Sequence, residues 1–237
     1  MKGDLVYKAL GLLLTYPEQE LVDATGELDA LFDASELSSE HLDGLTKLTT
    51  ALRETPLLDL QEAYVRLFDR STRLSLYLYE HVHGESRDRG QAMVDLQDYY
   101  KQHGVVSTAK ELPDYVPILC EFCSMLDNET ARAVLSDAGP VLALLGTRLA
   151  DRKSHYAVVF DALVQLAEIE VDAEEVAAAA SDDGVPVDDS FEALDRIWEE
   201  TEITFGEGDA LDSCGKGRSP QDDLIQLRTK GSGAPAQ

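Results

Sequence analysis

The sequence predicts an all-α fold arranged as a single-domain helical bundle. Apolar residues recur at spacings of three and four along almost the whole chain. Runs that alternate apolar and polar residues over strand lengths are scarce, so a sheet is not expected. A chain of 237 residues can bury roughly 70% of the surface that it exposes when unfolded. Such a core needs neither disulfides nor metals.

The predicted helices follow one another along the chain. The first covers about 5–16, is apolar on nearly all sides and ends at Pro17, which predicts a buried helix. Thr55-Pro56 predicts a cap followed by proline at the first helical position of another helix. Further helical patterns span about 18–33, 38–53, 129–151 and 154–169, the last with Ser154 as its cap.

Turn residues divide the middle of the chain. A break at about 70–75 precedes an apolar segment that Gly84 ends. Ser86 can cap the next helix, which Gly104 stops.

The tripeptide Leu112-Pro113-Asp114 predicts the start of a further helix. Proline in the first turn is typical of such starts, and the carboxylate would lie near the positive end of the helix dipole. We therefore expect Asp114 to be an exposed charge at a helix N-terminus.

The composition changes after about residue 171. An alanine-rich acidic helix, a turn-rich segment at 181–189 and a short helix at about 194–200 are predicted there. Glycine, serine, aspartate and proline dominate from residue 206, which is typical of disorder. The predicted organisation is a helical domain at 1–205 and a disordered tail at 206–237.

The charge balance limits the classes of partner. Forty-six acidic and twenty basic side chains give a net charge of -26, which argues against nucleic-acid or anionic-membrane partners and favours a basic partner or simple solubility. No secretory leader is recognisable, and no apolar run is expected to reach the roughly 20 residues of a membrane-spanning helix. Three cysteines fit a reducing compartment. These features predict a cytoplasmic protein.

One pair of cysteines has the spacing of a redox or metal site. Cys120 and Cys123 flank two residues, and His81 and His83 could complete four zinc ligands. A thioredoxin-type pair, however, lies at a helix N-terminus after a strand, whereas this pair lies well inside a predicted helix. Buried packing residues are the favoured interpretation, and no metal site is predicted.

The segment 64–96 predicts a recognition surface rather than a catalytic site. Aromatic residues occur there at helical spacing beside charges of both signs. No nucleophile is accompanied by an orienting base and a third partner, as covalent catalysis would need. We therefore predict no catalytic residue and no enzymatic activity.

Three motifs carry a resemblance to a known family. Tyr64-x-x-Leu67-Phe68, Glu111-x-Pro113-Asp114 and the continuous run at 80–93 closely resemble the redox-enzyme maturation chaperones, in particular the nitrate reductase delta subunit branch. The resemblance covers roughly residues 5–205.

The resemblance implies an all-helical assembly chaperone without a cofactor of its own. Its expected partner is the N-terminal segment of the apo catalytic (alpha) subunit of respiratory nitrate reductase, with membrane docking delayed and molybdenum cofactor insertion enabled. Transient contact with molybdenum cofactor biosynthesis proteins is also implied, without direct membrane insertion. Two alternatives stay open: a chaperone for a dimethylsulfoxide- or trimethylamine-oxide-type reductase, and a Cys/His redox or metal protein.

The resemblance also implies a peptide groove in which an amphipathic client helix would lie. The residues expected to contribute to it are Tyr64, Leu67, Phe68, Tyr77, Tyr79, Glu80, His81, His83, Arg87, Gln91, Met93, Tyr100, Glu111, Pro113, Asp114, Tyr115, Leu119 and Phe122. Tyr115 departs from the family pattern, which commonly has histidine there. The pH-sensitive role of that histidine is therefore not carried over to this position, although tyrosine can still donate a hydrogen bond and stack on an apolar peptide.

Overall fold

A computed structural model describes residues 4–70, 72–83, 88–106, 108, 110–169 and 173–181. Within these ranges the chain is helical and contains no β-strand, which confirms the predicted all-α fold. The α-helices are α1 (Leu5–Leu13), α2 (Gln19–Asp33), α3 (Ser39–Glu54), α4 (Leu57–Tyr64), α5 (Leu78–His83), α6 (Asp88–Gln102), α7 (Val116–Cys123), α8 (Asn128–Asp151), α9 (Ala157–Leu166) and α10 (Ala173–Ser181). A π-helical turn (Val65–Asp69) and a 3-10 turn (Thr72–Leu74) separate α4 from α5.

The long helix α8 and its partner α9 form one part of the core. Leu142 and Leu145 of α8 and Phe160 and Leu163 of α9 are fully buried. A Cβ atom at Gly146 would lie 3.2 Å from the Cβ atom of Phe160. Glycine at that position therefore allows the two helices to approach closely.

The pair α1 and α7 forms another part of the core. A Cβ atom at Gly11 would lie only 2.7 Å from the Cβ atom of Cys120 and 3.1 Å from the carbonyl oxygen of Pro117. The two helices therefore touch where α1 has no side chain. At the surface, Lys8 Nζ and Glu121 Oε1 form an ion pair at 2.8 Å.

Several predicted boundaries are confirmed and others move by a few residues. Gly104 has a φ of 77° just after α6, so it ends that helix as predicted. Pro56 is the N-cap of α4 rather than its first residue, and α9 begins at Ala157, after Ser154. The prediction that a helix starts at 112–114 is wrong, because α7 begins at Val116 and has its proline, Pro117, in the first turn.

The helix α8 also corrects a prediction about membrane spans. It is long and apolar enough, in length and composition, to cross a membrane, whereas the sequence suggested that no segment reaches this length. In the described part of the chain it packs against α7, α9 and α10. Its buried apolar side chains, such as Leu135, Leu142 and Leu149, therefore belong to the protein core.

Some predictions concern positions outside the described residues. These are the helix end at Gly84, the cap at Ser86, the short helix at about 194–200 and the tail at 206–237. The described residues all belong to one compact unit, Met1–Pro186. The proposed domain boundary after residue 205 therefore stays a prediction.

Candidate functional site

A cleft of about 180 Å³ opens beside the irregular segment between α4 and α5. We call it the aromatic cleft because five of its nine lining residues are aromatic. The lining residues are Tyr16, Tyr64, Phe68, Asp69, Ser75, Leu76, Tyr77, Glu111 and Tyr115.

The first wall of the aromatic cleft comes from the junction of α4 with the π-helical turn. Tyr64 and Phe68 are each only 4% exposed, and their ring centroids are 4.9 Å apart. On its other side Phe68 meets Tyr156 edge to face, with ring centroids 5.2 Å apart. Tyr16, which follows α1, meets Tyr64 in the same way at 5.6 Å. This wall is therefore continuous with the core.

The second wall depends on pairing between two segments distant in sequence. The Val116 amide donates to the Leu76 carbonyl at 2.9 Å, and Tyr77 and Tyr115 form an isolated antiparallel β-bridge. The bridge brings the rings of Tyr77 and Tyr115 to a centroid distance of 5.2 Å. Residues 38 or more positions apart thus form one surface.

The tyrosine hydroxyls of the two walls are hydrogen-bonded. Tyr64 donates to the Leu14 carbonyl at 2.8 Å and lies 3.2 Å from the hydroxyl of Tyr115. Tyr77 donates to the Glu111 carboxylate. Burial raises the pKa of Tyr64, Tyr77 and Tyr115, so all three hydroxyls are neutral near pH 7.

Asp114 has a structural position that the sequence did not indicate. It is fully buried, and its Oδ2 accepts a hydrogen bond from the Tyr79 amide at 3.0 Å. Its own carbonyl accepts from the Leu78 amide at 3.1 Å. The residue therefore caps the start of α5 from a distant part of the chain, and the expectation of an exposed charge at its own helix is wrong.

The electrostatic environment of Asp114 is mixed. Burial raises the pKa of its carboxyl group, and Glu80 adds to this. The Tyr79 amide and the Arg89 guanidinium oppose the rise. Arg89 in turn forms an ion pair with Glu80 at 3.1 Å. Asp114 Oδ1 is buried without a hydrogen-bond partner within the described residues.

The structure divides the predicted peptide-binding residues into three groups. Those that line the aromatic cleft are Tyr64, Phe68, Tyr77, Glu111 and Tyr115. Those buried elsewhere are Tyr100, Pro113, Asp114, Leu119 and Phe122. Those outside the cleft lining that keep some solvent exposure are Leu67, Tyr79, Glu80, His81, His83, Gln91 and Met93. Arg87 lies outside the described residues.

The buried members hold the fold together. The Tyr100 hydroxyl donates to the Pro113 carbonyl at 2.8 Å, and its ring lies 4.4 Å from that of Phe122. Leu119 is 3% exposed. Side chains in such positions cannot contact a docked peptide without rearrangement, so any effect on binding would be indirect.

Sequence reasoning missed four lining residues: Tyr16, Asp69, Ser75 and Leu76. Tyr16 follows a buried helix, and only its edge-to-face contact with Tyr64 reveals its role. Asp69, Ser75 and Leu76 lie in the segment 64–96 that was predicted as a recognition surface, and this was the available signal for them.

The cysteine pair is buried, as the sequence predicts. Cys120 and Cys123 are both fully buried in α7. Burial raises the pKa of the Cys120 thiol and raises that of Cys123 to about 12, which makes the reactive thiolate rare near pH 7. No cluster of metal-binding side chains occurs among the described residues. His81 Nε2 instead lies 2.8 Å from the Ser75 carbonyl oxygen.

Comparison with known proteins shows which family the chain belongs to. The structure is similar to that of a protein from Archaeoglobus fulgidus assigned to redox enzyme maturation, with a TM-score of 0.50, 23% identity, and coverage of 68% of this chain and 91% of that one. The sequence profile of the nitrate reductase delta subunit family matches residues 34–162.

Two curated relatives have more specific descriptions. The nitrate reductase molybdenum cofactor assembly chaperone NarJ of Escherichia coli K12 is 43% identical over 194 residues, which are 81% of each chain. NarJ of Bacillus subtilis 168 is 31% identical over 162 residues, or 68% of this chain and 86% of the relative.

The fold is thus that of a redox enzyme maturation protein. The sequence matches then specify the family, because both the profile and the relatives cover most of the helical core: the chain belongs to the nitrate reductase delta subunit family. This membership supports a chaperone role and agrees with the prediction that the protein is not an enzyme.

Proposed function

We propose that the protein is a system-specific assembly chaperone for respiratory nitrate reductase. It binds the N-terminal segment of the apo catalytic subunit, delays docking of that subunit at the membrane and enables molybdenum cofactor insertion. The observation that carries the proposal is the 43% identity to a NarJ protein over 81% of both chains.

The aromatic cleft supports a peptide as the ligand. Amphipathic helices bind in apolar grooves through a few side-chain anchors, and Tyr and Phe are favourable partners for such anchors. Tyr16 is 43% exposed and is therefore directly accessible at the rim of the cleft. The net charge of -26 favours a basic client segment, because opposite charges accelerate encounter.

The proposal includes the setting in which the chaperone works. The chaperone acts in the cytoplasm, before its client reaches the membrane. It contacts the molybdenum cofactor biosynthesis proteins transiently. No nucleic acid takes part, since the acidic surface would repel phosphates.

Co-purification with the catalytic subunit tests the proposal. The tagged chaperone is expressed with its own nitrate reductase catalytic subunit, either complete or lacking about its first 40 residues, a length that covers one long helix at about 1.5 Å per residue. We expect capture of the complete subunit and loss of capture on truncation. Equal capture of both forms would contradict binding at the N-terminal segment.

Two matched variants of the chaperone locate the contact. Tyr16→Ala removes an accessible ring from the aromatic cleft, whereas Leu58→Ala removes a side chain that is 77% exposed and outside the cleft lining. We expect weaker capture with Tyr16→Ala and unchanged capture with Leu58→Ala. If both variants capture the subunit equally well, the client binds elsewhere.

A further inference from the structure

The size of the aromatic cleft restricts what it can hold. Pockets for drug-sized ligands and cofactors have volumes of roughly 300–1,000 Å³, whereas this cleft measures about 180 Å³. A cofactor-sized molecule would therefore not fit, but a single long side chain would. The shape thus indicates a subsite for one anchor of a larger ligand.

The groups that line the cleft restrict the chemistry of that anchor. Three of its four tyrosines, Tyr64, Tyr77 and Tyr115, already have hydrogen-bonded hydroxyls. What these side chains still offer is aromatic ring surface. Such surface attracts cations, and the planar guanidinium of arginine can also stack on it.

Two carboxylates complete the lining. Asp69 and Glu111 are both exposed, and within the described residues neither forms an ion pair with a basic side chain. Burial raises the pKa of Asp69, and the nearby charge of Glu111 raises it further. The two carboxylates therefore repel each other, and a cation bound between them would remove this repulsion.

The hydrogen bond from Tyr77 keeps one of these carboxylates at the cleft. The Tyr77 hydroxyl donates to Glu111 Oε2, and the β-bridge to Tyr115 fixes the backbone of Tyr77. The negative charge is thus held beside the aromatic rings before any ligand arrives. Such preorganisation reduces the entropic cost of binding.

We propose that the aromatic cleft is a specificity subsite for one arginine side chain of the client helix, with its guanidinium stacked on the tyrosine rings and paired with Asp69 and Glu111. This inference rests on the proposed function, since it assigns an anchor within the same client segment. Lysine is the weaker ligand, because its compact ammonium cannot stack or bind two carboxylates through a planar fork.

A small probe tests the subsite without the client. N-acetyl-arginine methylamide is titrated into the full chain and followed by protein NMR, and the neutral citrulline analogue serves as the matched ligand. We expect saturable shifts with arginine, weaker ones with lysine and none with citrulline. The variant Asp69→Asn/Glu111→Gln should lose the response, whereas Glu27→Gln/Asp33→Asn, which removes two exposed charges outside the cleft lining, should keep it.

A client peptide tests the same residues in context. Each basic residue of a peptide of about 20 residues from the client N-terminus is replaced singly by methionine, and the Kd is measured by calorimetry. At one arginine we expect a loss of about tenfold or more with the wild-type chaperone. The loss should shrink to about twofold or less in the Asp69→Asn/Glu111→Gln variant.

The outcomes separate the two proposals. Peptide binding that is equally sensitive to every basic residue in both chaperone forms overturns the arginine subsite and leaves the proposed function standing. Saturable binding of the arginine probe without any peptide binding contradicts the proposed client. A probe response that persists in Asp69→Asn/Glu111→Gln also overturns the subsite, provided that circular dichroism shows both variants folded.

Discussion

The pair α8–α9 and the segments that form the aromatic cleft are built in different ways. In α8 and α9 the buried side chains are aliphatic or aromatic. The two helices are continuous over 24 and 10 residues, respectively. Around the cleft the chain passes through a π-helical turn, a 3-10 turn and a single β-bridge within about fifteen residues. Distant backbone groups and tyrosine hydroxyls complete the hydrogen bonding there.

This difference separates stability from recognition. The helix pair is stabilised mainly by apolar burial, which scales with area and does not depend on direction. The cleft depends on hydrogen bonds between segments far apart in sequence, so one substitution there can alter both fold and ligand binding. Four substitutions or conditions test this distinction, in order of decreasing effect.

The largest effect is expected in the helix pair. Leu145 is fully buried in α8, so Leu145→Ala should lower the free energy of unfolding by about 2–5 kcal/mol. Client affinity per folded molecule should not change, because the cleft is built from other elements. Urea denaturation and calorimetry measure the two quantities, with the exposed Leu58→Ala as the control. A loss of affinity in the folded variant would show that the two regions are coupled.

Asp114→Ala should have the next largest effect. It removes the buried acceptor of the Tyr79 amide and should cost about 1–3 kcal/mol of stability. The sequence predicted an exposed charge at this position, whose loss would cost little stability, and the buried position of Asp114 reverses that expectation. Thermal melting and calorimetric titration of the variant decide the order. If Asp114→Ala kept its stability but lost client affinity, the interpretation of Asp114 as an exposed charge would be restored.

The ionisation of Asp114 should produce a smaller effect that depends on pH. Burial raises the pKa of the Asp114 carboxyl group above 3.8 in the folded state. The contribution of this group to stability is therefore complete below pH 3.8 and is lost as the pH rises through the folded-state pKa. The stability of wild type relative to Asp114→Asn should therefore fall as the pH rises above 3.8. Urea denaturation at a series of pH values measures this difference, and a difference that rises with pH would contradict the assignment.

The smallest effect is expected at the surface contact between α1 and α7. The side chains of Lys8 and Glu121 are 44% and 46% exposed, so Lys8→Met should change stability by no more than about 1 kcal/mol. Lys101→Met, which removes an ion pair within α6, is the matched control. If Lys8→Met costs several times more than Lys101→Met, the helix pair α1–α7 depends on charge as well as apolar burial.

The sequence predicted the long helices well and the cleft only in part. Repeated apolar spacing identified α8 and α9 to within about three residues, because the pattern extends over many turns. The start of α7 was misplaced because Pro113 and Pro117 both fit a first helical turn, and local rules do not distinguish them. Pro113 instead precedes the buried Asp114, which caps another helix.

The motif residues show the same division. Tyr64, Phe68 and Glu111 line the same cleft, and Tyr64 and Phe68 are each only 4% exposed. Burial depends on what packs against a side chain, and for Phe68 this includes Tyr156 from a segment almost ninety residues away.

By itself, the sequence determined the helical class, the buried cysteines, the acidic surface and the family. Periodicity and motifs are local patterns and composition is a sum over the chain, so none of them depends on how the helices pack. Tertiary structure decided that Asp114 caps α5, that the β-bridge joins Tyr77 to Tyr115, and that Tyr16 and Asp69 complete the cleft. Each of these features requires contacts between segments that are distant along the chain. Such contacts depend on how whole helices pack, and no local pattern specifies them.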